Sequence, residues 1–118
     1  MEQKRVTKQE TVWGKWEIVH ETNTCKVKQL TINPNHRLSY QKHLKRQESW
    51  TIIQGSALVT LDGIEHSLTY GETIVIPKES LHRIANQNKE LLVIIEVQTG
   101  TYFGEDDIIR IEDDYGRC

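Results

Sequence analysis

The sequence predicts a single all-β domain, closed into a barrel or sandwich. Three observations carry this: short β-branched runs alternate with period two, turn residues separate them, and no helical apolar stripe exceeds two turns. A chain of 118 residues has room for one domain and one core.

Taken in order, residues 1–11 are polar and read as an arm. The barrel follows over 12–118 and ends in an acidic closing segment. Trp16–His20 and Cys25–Asn33 are the first two strands, and the turn at Pro34-Asn35 leads into Arg37–His43. Glu48–Gln54 comes next, punctuated by Gly55. Ser56–Leu61 and Glu65–Leu68 flank Asp62-Gly63, a two-residue hairpin signal because both positions favour positive φ. Tyr70-Gly71 turns the chain into Glu72–Ile76. Leu81–Ile84 follows the turn-like Ile76-Pro77-Lys78-Glu79-Ser80, and Leu91–Gln98 is the last long strand. The end, 104–118, reads as a short irregular or helical closure.

Composition narrows the function classes. Hydrophobic residues make up 36% and charged residues 27%, as in a folded globular protein. A formal charge of −2 gives no global reason to expect nucleic acid or an anionic membrane as partner. Charge is unevenly placed: ten of the fifteen Lys and Arg lie within the first 46 positions, and six of the seventeen acids lie between Glu105 and Asp114. A basic region of that kind can receive an anionic ligand. No apolar run approaches a membrane span, and Met1-Glu2-Gln3-Lys4 opens no signal-peptide core. Two cysteines, Cys25 and Cys118, make no disulfide framework, so a reducing cytoplasm is the expected setting.

The chemistry concentrates in two strands. With period two, Arg37, Ser39, Gln41 and His43 share one face. In the following strand Glu48 shares its face with Trp50, Ile52 and Gln54, a carboxylate among large apolar groups. A buried carboxylate needs a partner, and a metal ion is among the best available. His82 arrives after the Pro77 turn. The competing reading is a metal-free barrel whose polar groups hydrogen-bond one another. His20, His36 and His66 lack such context and read as surface residues.

These residues resemble a family. Asn35, five residues, Gln41-Lys42-His43, four residues, Glu48, six residues, Gly55 is similar to the first cupin motif. Gly71, five residues, Pro77-Lys78-Glu79, two residues, His82, three residues, Asn86 is similar to the second. The resemblance implies a cupin barrel (a double-stranded β-helix or jelly roll) holding one divalent ion on Gln41, His43, Glu48 and His82. Asn35 and Glu79 stand where cupins have glycine, and Gln41 stands where they have histidine. Two imidazoles, a carboxylate and an amide oxygen favour Zn, Mn, Fe, Co or Ni over soft-metal chemistry.

One branch of the cupins matches more closely. Val12-Trp13-Gly14-Lys15-Trp16-Glu17, Arg37 to His43, Gly104-Glu105-Asp106-Asp107-Ile108 and Glu112-Asp113-Asp114-Tyr115-Gly116-Arg117 resemble the C-terminal domain of type II mannose-6-phosphate isomerases. That implies interconversion of mannose 6-phosphate and fructose 6-phosphate through an enediol, in mannose and polysaccharide metabolism. The nucleotidyltransferase often fused ahead of such domains has no counterpart here, which implies the isomerase barrel alone. The family reads His-His-His-Arg-x-Glu-His-Trp where this chain has His43-Leu44-Lys45-Arg46-Gln47-Glu48-Ser49-Trp50, so three histidines are replaced.

Arg37, sharing the face of Gln41, is the first candidate for the phosphate or a sugar hydroxyl. Lys28, Ser39, Gln98 and Arg110 are further candidates for the ligand. Trp50, in phase with Glu48, is the one tryptophan expected in the pocket, with Trp13 and Trp16 as packing groups. Glu96 is the candidate base; its competing reading is an ion-paired carboxylate. A non-catalytic metal- and sugar-binding module, an epimerase and an Fe-dependent dioxygenase are the alternatives. A homodimer is expected, built on the strand edge of Val12–His20.

Overall fold

The computed structural model describes residues 7–117. Twelve strands form in chain order: β1 (Lys8–Glu10), β2 (Gly14–Glu21), β3 (Cys25–Ile32), β4 (His36–Arg37), β5 (Tyr40–Lys42), β6 (Arg46–Gln54), β7 (Ala57–Leu61), β8 (Ile64–Leu68), β9 (Thr73–Ile76), β10 (His82–Asn86), β11 (Leu92–Gly100) and β12 (Ile109–Glu112). No helix occurs among the described residues, so none crosses a membrane. One antiparallel sheet runs β1-β2-β3-β11-β6-β9, the other β12-β5-β10-β7-β8 with β4 beside β10.

The inner face of the first sheet is layered across its strands. Trp16, Leu30, Ile94 and Ile52 stand in one row, with Ile32 and Leu92 below them. These join Trp13, Leu38, Val59, Ile76 and Ile84 in the core. Each such side chain contributes about 1.5–3 kcal/mol through burial. The next rows change character: Lys28, Glu96 and Trp50, then Lys26, Gln98 and Glu48. The apolar core thus fills one end of the barrel, and polar chemistry fills the other. A Cβ on Gly100 would lie 2.3 Å from the Lys45 carbonyl oxygen, so glycine is what lets β11 close on β6 beside Arg46.

Turn chemistry is as read from the sequence at the hairpin, where Asp62 and Gly63 have φ of 47° and 81°. Asn35 (59°) and Glu79 (67°) also adopt the left-handed conformation, so the backbone keeps the glycine geometry after the glycine is gone.

The polar arm contains β1, which pairs with Lys15–Glu17 on the Val12–His20 segment; residues 1–6 lie outside the described residues. Two expectations need correction. The closing segment is neither irregular throughout nor helical: Ile109 and Ile111 alternate with Arg110 and Glu112 and form β12 on β5. Finally, Arg37–His43 is not one strand. Leu38 and Ser39 are consecutive buried residues between β4 and β5, and this break shifts the period-two phase.

Candidate metal centre

The phase break decides which side chains converge. Beyond it, Gln41 and His43 keep their inward face, and Gln41 stands opposite His82 of β10. Arg37, before the break, turns to the outer surface. There its Nε and Nη2 donate to Asp114 at 2.7 and 2.8 Å. It does not line the cavity onto which Gln41, His43 and Glu96 face.

His43, Glu48 and His82 are all buried, and their ligand atoms lie within 4.8 Å of one another. His43 Nε2 is 3.3 Å from Glu48 Oε2, and His82 Nε2 is 4.0 Å from Glu48 Oε1. Each imidazole uses its other nitrogen on a backbone carbonyl: His43 Nδ1 donates to Asp107 O at 2.6 Å, and His82 Nδ1 to Ser80 O at 2.9 Å. Those bonds select the tautomer whose Nε2 lone pair faces the shared centre, the arrangement metal-binding histidines use. Burial lowers both histidines, with the Arg46 charge also acting on them, and His43 falls to about 4. Both are therefore neutral near pH 7. His82 Nε2 is buried without a hydrogen-bond partner, an acceptor left over that a cation would satisfy.

Gln41 closes the group. Its Nε2 lies 3.3 Å from His43 Nε2, and its Oε1 accepts from Ser39 Oγ. Ser39 can donate or accept, so the amide can present either end to the centre. These donors fit a borderline divalent ion.

Trp50 is not in the cavity wall. It is 1% exposed, and its Nε1–H is shared between Glu48 Oε1 at 3.0 Å and Glu96 Oε2 at 3.1 Å. It positions two carboxylates and touches no open space. Gln98 acts similarly, donating to Glu96 Oε1 at 2.6 Å. Glu96 lines the cavity, and burial reinforced by the nearby Glu48 charge raises its carboxyl to about 7.

The cavity is about 230 Å³. Lys28, Ser39, Arg110 and Glu96 line it, and Trp13 and Trp16 reach it from the core in which they pack. Sequence reasoning missed Arg46. Its Nε donates to Glu48 Oε2 at 2.8 Å, and Nη2 approaches His43 Nε2 at 3.4 Å. Extending the phase of Glu48, Trp50 and Ile52 back by two residues would have found it.

An all-β barrel with histidines and a carboxylate clustered at one end defines a cupin. More narrowly, the chain belongs to the mannose-6-phosphate isomerase C-terminal family, which matches residues 1–113. It is 47% identical over 105 residues to the alginate biosynthesis protein AlgA of Pseudomonas aeruginosa, covering 89% of this chain and 22% of that protein. It is 40% identical over 106 residues to a mannose-1-phosphate guanylyltransferase of Klebsiella pneumoniae, covering 90% of this chain and 22% of that one. The chain thus spans under a quarter of the length of these relatives. Its fold is that of the capsular polysaccharide assembling protein CapF from Staphylococcus aureus, with a TM-score of 0.81 at 16% identity over 93% of this chain and 32% of that one.

Proposed function

We propose that this domain is a cytoplasmic, metal-dependent aldose–ketose isomerase that converts mannose 6-phosphate to fructose 6-phosphate in mannose and polysaccharide metabolism. The observation that carries the reading is the pairing of an ion-ready trio, His43, Glu48 and His82, with a buried carboxylate, Glu96, at the wall of the adjoining cavity. Gln41 completes the ligand set. A divalent ion held there supplies Lewis-acid polarisation of the sugar carbonyl and stabilisation of enediolate charge.

This chain's residues do the rest. Glu96 takes the proton from C2 of the open-chain aldose and returns it to C1 while the O2 hydroxyl proton passes to O1, leaving the C2 ketone; the Glu96 oxygens are oriented by Trp50 and Gln98. Lys28 and Arg110 meet the substrate's anionic end, and Ser39 sets the amide of Gln41. Arg37 has no part, being held by Asp114 on the outside.

The three replaced histidines do not weaken the reading. Leu44 and Lys45 are exposed, and Ser49 points to the opposite face of β6 from Glu48 and Trp50. None of the three lines the cavity. The test is direct: fructose 6-phosphate formation by protein reloaded with Zn, Mn, Fe, Co or Ni. Turnover lost with EDTA and in His82→Ala supports the isomerase. Binding of mannose 6-phosphate without turnover returns the non-catalytic module.

A homodimer is part of this proposal, on a surface other than the predicted edge. Val27, Ile95, Val97, Thr51, Ile53 and Val75 face outward from the middle of the first sheet without a charge among them. At ~4.8 Å between strands and two residues (~6.6 Å) per outward position, the six side chains cover about 190 Å² per copy, so they form the uncharged centre of a contact that must extend beyond them to reach a stable interface. A neutral face suits a second copy because no like charges oppose each other across the two-fold axis.

A further inference from the structure

Two lysines sit deep at the polar end of the barrel. The side chains of Lys26 and Lys28 are 10% and 4% exposed. Buried ammonium groups require an anion. Theirs is Glu105, whose Oε1 bonds Lys28 Nζ and lies 3.8 Å from Lys26 Nζ.

Glu105 differs from the groups it serves. It is 53% exposed and belongs to the stretch between β11 and β12, which has no regular structure around it. That stretch is fastened across the polar end at three other points. Lys26 Nζ donates to Phe103 O at 3.1 Å, Arg46 Nη1 reaches Gly104 O at 3.4 Å, and Asp107 accepts from the backbone of Leu44 and Lys45 at 3.0 Å each. The strap can therefore stay attached while the Glu105 side chain alone swings into water, where a carboxylate is well solvated. Lys28 has no such freedom. It is anchored inside, with its Nζ 4.2 Å from the centre of the Trp16 ring, and it lines the cavity. Arg110, also in the cavity wall, has its Nε buried and without a partner.

We propose that Glu105 is an internal occupant of the phosphate subsite: the phosphate of the ligand binds Lys28 and Lys26, with Arg110 at its flank, by displacing the Glu105 carboxylate. This rests on the sugar-phosphate reading above and adds a built-in competitor to it. The displacement is an exchange of one oxyanion for another, so no covalent bond changes. It favours phosphorylated over neutral sugars, since a neutral ligand leaves Lys28 to Glu105.

The test measures binding of inorganic phosphate, mannose 6-phosphate and mannose by calorimetry and Trp fluorescence, in the wild type, Glu105→Gln and Lys28→Met. Glu105→Gln is expected to bind phosphate and mannose 6-phosphate at least 10-fold more tightly, with mannose unchanged. Lys28→Met is expected to bind both phosphates at least 10-fold more weakly. Equal or weaker phosphate binding by a folded Glu105→Gln overturns the proposal. Hydrogen exchange on the wild type stands independently of the variants' folding. Saturating phosphate should leave amide exchange between Phe103 and Asp107 unchanged, since the strap stays fastened by its other contacts, and markedly slowed or speeded exchange there counts against a side-chain-only displacement. Tighter phosphate binding without isomerase turnover leaves the subsite standing and removes the isomerase. Turnover with no tightening in Glu105→Gln does the reverse.

Discussion

Replacing Trp50 with phenylalanine tests the polar end of the barrel through a single N–H. That group donates to Glu48 Oε1 at 3.0 Å and Glu96 Oε2 at 3.1 Å, and the residue is 1% exposed, so water cannot substitute for it. A hydrogen bond to a charged acceptor is worth about 1.5–3 kcal/mol. The lost pyrrole portion of the indole leaves a void of about 40 Å³, adding ~1 kcal/mol at ~24 cal/mol per Å³. The expected loss is about 3 kcal/mol, a large part of a total of about 5–15 kcal/mol. For a chain of 118 residues this lowers Tm by roughly 10 °C. Urea titration followed by far-UV circular dichroism reads the change, with the slope unchanged. A double-mutant cycle with Glu48→Gln should show coupling above ~1 kcal/mol. A loss below ~1 kcal/mol, or additive effects in the cycle, refutes the view that Trp50 holds the carboxylates.

Saturating Zn, Mn, Fe, Co or Ni at about 100 times Kd should stabilise the wild type by about 2.7 kcal/mol and leave His82→Ala unmoved. Thermal melts with and without EDTA, together with elemental analysis, check it; equal melts in both proteins reject the centre. Glu79→Gly should stabilise by about 0.5 kcal/mol, because it relieves a left-handed non-glycine residue and loses part of that gain to chain entropy; destabilisation in urea would contradict this. Asp113, held by Arg117 Nε at 2.8 Å, is pulled from 3.8 to about 2, chiefly by that hydrogen bond. Its contribution is therefore present above about pH 4 and lost as pH falls toward 2. Asp113→Asn should flatten acid unfolding in that window, and an unchanged acid limb argues otherwise. Val97→Lys should turn a dimer into a monomer in sedimentation equilibrium, whereas a wild-type monomer at high concentration removes the proposed interface.

Much of this architecture was legible because alternation survives wherever a strand is long. Lys28 in phase with Leu30 and Ile32, and Glu48 in phase with Trp50 and Ile52, both lie inward as the pattern requires. Period two fails where the chain inserts an irregularity, and also in β10, where all five residues are buried. Arg37 was misplaced because Leu38 and Ser39 are both buried, and nothing local marks that break. Strand β12 was hidden by its acidic neighbours, since its pairing with β5 is a tertiary event. Trp50 was assigned to the pocket because phase reports which face a residue occupies, not how deep it sits along the barrel.

Depth is the coordinate that separates chemistry from packing here. On the inner face of β3, Ile32 and Leu30 lie at the apolar end, and Lys28 and Lys26 at the other. β11 runs antiparallel beside it, from Leu92 and Ile94 to Glu96 and Gln98, and β6 returns from Ile52 to Glu48 and Arg46. Three strands cross from apolar to polar at the same level, and they do so although neighbours run in opposite directions. A sequence that scattered its charges at random among inward positions would bury unpaired groups at several depths, each costing about 1–3 kcal/mol or more. Confining them to one end lets Lys28, Glu96, Glu48 and Arg46 neutralise one another, while the rows of Leu30, Ile94 and Ile52 and of Ile32 and Leu92 pack without charge, the nearby Asn86 being satisfied by the carbonyls of Ile32 and Glu90. The same confinement leaves that end short of apolar filler. A cavity there is the physical consequence, and the candidate metal centre adjoins it.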